Sequence, residues 1–431
     1  MTTVLPADAR VFLFLQGPHG PFFKQLARQL ETAGAKVWRV GFNAGDAAFW
    51  SPRHNYIPYT ETPEHWPARF AQLLDERGVT DIVLYGDTRP IHAEAVAQAR
   101  ARGLHVHVFE EGYMRPYWVT YERDGSNGHS KLMQISIAEM DDLIERRKFD
   151  PPVPPGHWGD MRQHVYYGAA YHWHVLAMNR RYRGFRAHRS ISVGAEFRLY
   201  VKRLLLMPLH ALERRIATLR IRMGTFPYHL ALLQLEHDSS FQMHGPFARQ
   251  GDFLAHVIEG FAKGGPAHHH LVIKAHPLED GRAPLRADIK RLASAHGLTG
   301  RIHFVRGGKL AQLLDHARSA TTVNSTAAQQ ALWRGLPVRA FGRAVYGKPE
   351  LVSDQPIADF FASPTRPDMS AYRHFRDFLL VTSQLPGSFY AQKGRRQLLR
   401  ELPDKMLQAA DPYALTPPQS AALQQQFHVV K

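Results

Sequence analysis

The chain has no cysteine. That single absence excludes disulfides, thiolate nucleophiles, Cys-ligated zinc and iron–sulfur clusters, and a reducing compartment fits it. There is no run of about 20 apolar residues, so a membrane-spanning helix is not expected. The first ten residues lack the basic and apolar regions of a signal peptide, and none is expected. No Asp-x-Asp pair occurs, which argues against the metal-dependent kind of sugar-nucleotide site. Acids are also scarce: 38 Asp plus Glu stand against 54 Lys plus Arg, a formal net charge of +16. Such an excess points to a polyanionic neighbour, whether nucleic acid, an anionic membrane surface or a phosphorylated substrate.

What is present is a globular composition. The 431 residues are 44% hydrophobic and 21% charged, enough chain for two or three domains with real cores. The first hundred residues alternate. The short apolar run at 11–15 reads as a buried strand, 36–42, 81–85 and 105–109 as further strands, and 22–33, 66–77 and 91–102 as helices between them. Alternation resumes at 230–235 and continues to 341. Strand–helix repetition of this kind predicts parallel sheets covered on both faces. Between the two stretches, residues 151–225 carry thirteen basic and three acidic residues, a local charge of +10. The segment reads as helical after a stiff linker at Pro151-Pro-Val-Pro-Pro155. The expected fold class is therefore α/β and GT-B-like. It has two doubly wound Rossmann-like domains with a cleft between them and a basic helical segment between the domains. The boundaries read as 1–150, 151–228, 229–353 and a helical tail at 354–431.

Polar residues gather where strands are expected to end. Glu110 and Glu111 emerge beside Gly112 and Arg115. Adjacent residues of an extended segment face opposite ways, so one of the two carboxylates is expected to enter a cleft as nucleophile or base. Arg115 has the planar fork that grips a carboxylate or phosphate. The alternative is a capped loop with solvated acids and a buried Trp118. His276-Pro277 follows the strand at 271–275, where an imidazole can donate to a phosphate. Asn324-Ser325-Thr326 runs from a strand into a helix, a position suited to capping or to phosphate binding. Gly342–Pro349 imitates a phosphate-binding P-loop, but Pro349 stands where Ser or Thr must follow Lys348, and a P-loop is rejected. His268-His-His270 resembles a metal cluster, yet adjacent residues cannot all reach one ion, and a surface loop is the preferred reading.

Several of these pieces occur in a familiar order. They are Gln16-Gly-Pro-x-Gly-x-Phe-Phe23, Gly86-Asp-Thr-Arg-Pro-Ile-His92, Glu110-Glu-Gly-Tyr-x-Arg-Pro-x-Trp-Val-Thr-x-Glu122 with Asn127 and Ser130, Gln234-Leu-Glu-x-Asp-Ser239, His276-Pro277 and Asn324-Ser-Thr326. In this the sequence resembles the KpsS/LipB-type capsule polysaccharide biosynthesis proteins, retaining β-Kdo transferases. One departure is Ala328, where Gly is expected after Asn-Ser-Thr. The resemblance implies a metal-independent transferase with no cofactor, using CMP-β-Kdo as donor. It would start the poly-Kdo linker of a Gram-negative capsule on lysophosphatidylglycerol, at the cytoplasmic face of the inner membrane.

By that resemblance Glu111 is the nucleophile, with Glu110 in reserve, and Arg115 holds the Kdo carboxylate. Gln16, Gly17, Gly20, Arg89, Trp118, Glu122, Asn127 and Ser130 complete the substrate side. Gln234, Asp238, Ser239, Lys274, His276, Pro277, Asn324, Ser325 and Thr326 hold the nucleotide. The implied partners are the donor, the phospholipid acceptor and an anionic membrane surface, with the second capsule Kdo transferase admitted and no nucleic acid. The basic segment, with Leu204, Leu205, Leu206, Leu209 and Leu212 as an apolar stripe beside Arg214, Arg215, Arg220 and Arg222, is expected to dock on anionic lipid. The alternatives are a non-enzymatic basic adaptor of capsule export that binds membrane or nucleic acid, and a GT-B-like enzyme using a different sugar nucleotide.

Overall fold

The structure is a computed structural model describing residues 9–50, 54–145, 161–182, 184, 193–279, 281–408, 411 and 413. The side chains of residues 161, 193–197, 200, 201, 203 and 204 lie outside that description, as does the expected linker at 151–155.

The first part of the chain runs β1 (Val11–Phe14), α1 (Phe22–Thr32), β2 (Lys36–Gly41), α2 (Ala44–Ala48), β3 (Tyr56–Pro58), α3 (Trp66–Arg77), β4 (Asp81–Tyr85), α4 (Pro90–Ala101), β5 (His105–Glu111) and β6 (Trp118–Arg123). Three helices follow: α5 (Ile137–Glu145), α6 (Met161–Met178) and α7 (Val193–Met223). Then come β7 (Tyr228–Leu232), α8 (Ser239–His244), α9 (Gln250–Gly264), β8 (His270–Lys274), α10 (Leu285–Ala295), β9 (Ile302–Val305), α11 (Leu310–Leu314), β10 (Ala317–Thr322), α12 (Ala328–Trp333) and β11 (Val338–Ala340). The chain closes with α13 (Ile357–Ala362), α14 (Met369–Thr382), β12 (Gln384–Pro386) and α15 (Gln392–Leu407).

The strands form two sheets. The first has the order β12-β6-β5-β4-β1-β2-β3 and the second β11-β10-β7-β8-β9. All neighbours are parallel except β5–β6 and β6–β12. The chain divides into two compact units: Met1–Lys131, Glu139–Arg189 and Asp377–Lys431 form one, and Leu132–Ala138 with Ser190–Arg376 the other. Each unit is thus discontinuous, where the sequence reading assigns contiguous stretches. The reason is packing. β12 adds antiparallel to β6, pairing Leu385 with Val119. Phe389, Leu398, Leu402 and Met406 then bury themselves against Phe12, Phe14, Phe22 and Phe109. The tail completes one face of the first sheet, while Leu13, Leu15, Phe70, Leu84 and Val108 build the core on the other. Alternation along β1 sends Phe12 and Phe14 to one layer and Leu13 and Leu15 to the other.

Both sheets reverse direction of growth once. In the first, β2 and β3 lie on one side of β1, and β4 and β5 on the other. In the second, β8 and β9 lie on one side of β7, and β10 and β11 on the other. These switch points open crevices at the carboxyl ends of β1 and β4, and of β7 and β10.

Candidate functional site

At the first switch point the chain leaves β1 into Gln16 and leaves β4 into Gly86. Gln16 Nε2 donates to Asp46 Oδ2 at 3.2 Å, and Arg89 donates to Gln16 Oε1 at 3.3 Å. Asp46 also accepts from the Phe42 backbone N–H at 2.9 Å and from the Tyr171 hydroxyl at 3.2 Å. This anchoring holds Gln16 and Arg89 at the crevice. The two glycines of the β1 exit are required by contact. A Cβ on Gly17 would lie 2.4 Å from the Phe23 ring, and Gly20 has φ +108° with the Tyr167 ring 3.0 Å from its Cβ position.

Glu110 and Glu111 are the last two residues of β5, not a loop beyond it. They pair in register with Thr120 and Val119 of β6. In place of the capped loop of the alternative reading, the chain turns back at Gly112, and Trp118 starts β6, buried. A Cβ on Gly112 would lie 2.2 Å from the Trp118 carbonyl oxygen, so only glycine permits that return. The two carboxylates meet different neighbours. Glu110 Oε1 accepts from the Glu111 N–H at 3.1 Å, and its other oxygen lies beside Gly86. Glu111 Oε1 accepts from the Tyr85 hydroxyl at 3.2 Å. Burial, then the Glu111 charge, push the hydroxyls of Tyr85 and Tyr390 well above the ordinary tyrosine range. Both therefore remain neutral, with Tyr85 the donor to Glu111. Nothing in the sequence near Tyr390 signals this role; β12 and the tail carry it there. Arg115 is exposed, its Nε donating to the Gly112 carbonyl at 3.3 Å.

Two of the expected substrate residues, Glu122 and Ser130, bind each other inside the fold. Glu122 is fully buried. Its carboxylate accepts from the Tyr113 hydroxyl at 2.5 Å and from the Ser130 hydroxyl, and the Asn127 N–H donates to Tyr113 Oη at 2.6 Å. These bonds tie the segment after β6 to Glu122 and Tyr113. Burial raises the Glu122 carboxyl to about 7, partly offset by these donors. A raised folded-state value means the group's stabilising contribution is full below about pH 4.5 and is lost as pH rises through 7. The shift corresponds to on the order of 3 kcal/mol. Glu122→Gln should therefore flatten the pH dependence of melting temperature between pH 4.5 and 8. A variant with the wild-type slope would show that Glu122 is not the titrating group.

At the second switch point, Gln234 follows β7 and Asn324 follows β10. They bind each other: Gln234 Nε2 donates to Asn324 Oδ1 at 2.7 Å, and the Asn324 N–H donates to Gln234 Oε1 at 3.0 Å. Asn324 Nδ2 donates to the Ser240 carbonyl at 2.8 Å. Both amides are buried and engaged in locking the strand exits together. Asp238 caps α8 by accepting from the Ser240 N–H at 3.1 Å, and Asp238 and Ser239 are exposed. Ser325 Oγ accepts from the Ala327 N–H at 3.2 Å, and α12 starts only at Ala328.

The cationic group stands at the end of β8. Lys274 is buried, and no hydrogen bond or ion pair engages its ammonium among the described residues. Burial, then the charge of Arg214, lower it to about 8. His276 Nδ1 accepts from the Leu278 N–H at 3.1 Å, which puts the proton of the neutral ring on Nε2. Gly307 and Gly308 leave β9 with φ +67° and +89°; Cβ atoms there would lie 3.1 Å from Pro277 and 2.9 Å from the Arg214 side chain. Arg306 Nε is buried without a hydrogen bond, 3.8 Å from Glu213. Arg214 was expected on a membrane-facing surface; it turns inward here. The Gly-Gly pair after a strand was a legible signal, and the sequence reading passes over it.

Two other motifs are accounted for. Lys348 of the P-loop imitation is buried and donates to the Leu132 and Met133 carbonyls at 2.6 and 3.3 Å. His270 belongs to β8, not to a surface loop, and pairs with His303 at 2.8 Å. His269 pairs instead with His229 at 3.0 Å.

These features define a protein of two doubly wound α/β units, each with its polar residues collected at a topological switch point. The chain belongs to the family described as capsule polysaccharide biosynthesis protein, which it matches over residues 80–390. It is 32% identical over 388 residues to the capsule polysaccharide export protein KpsS of Escherichia coli, covering 89% of this chain and 97% of that one. It is 30% identical over 391 residues to the capsule polysaccharide modification protein LipB of Neisseria meningitidis serogroup B, covering 89% and 93%. Among solved structures, the Thermosulfurimonas dismutans KpsC β-Kdo 2,7 transferase aligns with 92% of this chain and 100% of its own, at 13% identity and a TM-score of 0.44.

Proposed function

We propose that the protein is a retaining glycosyltransferase that moves Kdo from CMP-β-Kdo to lysophosphatidylglycerol at the cytoplasmic face of the inner membrane, starting the linker of a capsular polysaccharide. The observation that carries the reading is Lys274. A buried ammonium without a described counter-charge is costly, and it becomes favourable when a phosphate binds beside it. His276 Nε2–H would donate to that phosphate, and Arg214 with Arg306 would add positive potential. In the first displacement, a Glu111 carboxylate oxygen bonds to the anomeric carbon of Kdo as the bond from that carbon to the phosphate oxygen breaks, and CMP leaves with the electron pair. In the second, the acceptor hydroxyl oxygen bonds to the anomeric carbon, Glu111 leaves with the electron pair of its bond to that carbon, and the hydroxyl proton passes to water. Two inversions give net retention. Arg115 would hold the sugar carboxylate.

Purified protein incubated with CMP-Kdo and synthetic lysophosphatidylglycerol should release CMP and yield an acceptor heavier by Kdo, as read by mass spectrometry. CMP should compete and UDP should not. Absence of both CMP release and mass gain would remove this reading, and competition by UDP alone would redirect it to another sugar nucleotide.

A further inference from the structure

We infer that α7 is an interfacial helix that lies along an anionic phospholipid surface. Seven apolar residues of this helix face solvent, and six of them share one side: Leu205, Leu209, Leu212, Ile216, Leu219 and Met223, with Met207 off that line. Their exposure runs from 41% at Ile216 to 79% at Met223. The spacing of the six is 4-3-4-3-4, so at 3.6 residues per turn they fall within about 40° of one line, a stripe about 27 Å long. In the C-terminal half of the helix the opposite side is the one that packs: Ile221 is buried, Arg214 lies against Gly308, and the helix contacts β9. Glu213, at the edge of the stripe, is tied to Arg286 and Arg306. The stripe therefore has no partner among the described residues of the chain.

The charges beside the stripe select its occupant. Lys202 and Arg220 lie about 60° to one side, and Arg215 and Arg222 about 80–100° to the other. All four are exposed. A second copy of the helix would set cation against cation along both edges of such a seam, which opposes pairing. A bilayer of anionic lipid accepts both parts at once, the apolar stripe at the acyl boundary and the flanking cations among phosphate headgroups. No described helix is long and apolar enough to cross a membrane, so α7 lies on the surface.

The structure changes which residues carry the docking. Ile216, Leu219 and Met223 join the stripe; Leu206 is half-buried and leaves it, and the Leu204 side chain is outside the described residues. Arg214 leaves the lipid-facing set and Lys202 enters it.

The surface deepens the proposed function, on whose membrane setting it rests, while vesicle binding is read without any transferase activity. The test is co-flotation of the full chain with vesicles of phosphatidylglycerol and phosphatidylcholine, compared with phosphatidylcholine alone. Binding should be at least ten-fold stronger to the anionic vesicles and should fall at high salt. Leu209→Gln with Leu212→Gln and Leu219→Gln should reduce it ten-fold or more. Lys202→Gln with Arg215→Gln, Arg220→Gln and Arg222→Gln should do the same. All seven positions are exposed, and unchanged melting temperatures would exclude misfolding as the cause. CMP release from CMP-Kdo should persist in both variants, which separates loss of docking from loss of the donor site. Vesicle binding that ignores both sets of substitutions overturns the proposal. So does a leucine variant that binds vesicles normally but loses a dimer in light scattering, because the stripe would then be a protein seam.

Discussion

Glu111→Gln should reduce Kdo transfer by about 10³-fold or more, because it removes the atom that would bond to the anomeric carbon. The substitution is nearly isosteric. Its amide oxygen can still accept from the Tyr85 hydroxyl, which lies 3.2 Å from Glu111 Oε1, so the local geometry and the melting temperature should hold. Glu110→Gln is the control. Glu110 accepts from the Glu111 N–H, and losing its charge should affect positioning more than chemistry. Rapid quenching of the wild-type reaction without acceptor should reveal a Kdo adduct by intact mass, mapping to the peptide that carries Glu111. Substantial transfer by purified Glu111→Gln would defeat the assignment. A dead Glu110→Gln beside an active Glu111→Gln would move the role to its neighbour.

The second large effect concerns the phosphate grip. A charge-assisted hydrogen bond is worth about 1.5–3 kcal/mol, so Lys274→Met and His276→Ala should each weaken CMP binding by roughly 10–100-fold. Lys274→Met makes a sharper prediction. An unpaired buried ammonium costs stability in the empty protein, so the variant should be as stable as wild type or more so while binding CMP worse. A merely structural lysine would lose stability instead. Its pH dependence has a definite sign. Lys274 sits at about 8 in the empty protein, and only its protonated form attracts phosphate. Wild-type affinity for CMP should therefore decline as pH rises through 8, and Lys274→Met should lack that decline. Calorimetry showing unchanged CMP affinity in this variant would sink the pocket.

Much of the architecture was legible because it rests on local pattern. The stretches at 11–15, 81–85 and 271–275 are largely apolar, with Asp81 and Lys274 the charged exceptions, because those strands are buried on both faces, and that pattern needs no knowledge of partners. The polar stretches marked as site candidates do stand at strand exits. Arg89, Glu111, Lys274 and His276 are placed at carboxyl edges by chain order alone once the strands are known.

Tertiary structure decided the rest, because it depends on contacts between residues far apart in sequence. Short strands such as β12 have too few residues to show a period, and β12 becomes a strand only because β6 offers an open edge. Gln234 and Asn324 look like ligands in sequence, and only their meeting across β7 and β10 engages their amides with each other. Glu122 looks like a third acid for the site until burial and the Tyr113 and Ser130 hydroxyls enclose it. The arginines of α7 are indistinguishable in composition; the rotation of the helix on β9 sends Arg214 toward Lys274 and leaves Arg215, Arg220 and Arg222 outside. The sequence by itself determined which residue types stand at the ends of which strands, since hydrophobic period and chain order are local properties. Which of those side chains are open to a ligand and which are engaged in holding the fold was set by burial and by pairing across the sheets, and both arise only when distant segments meet.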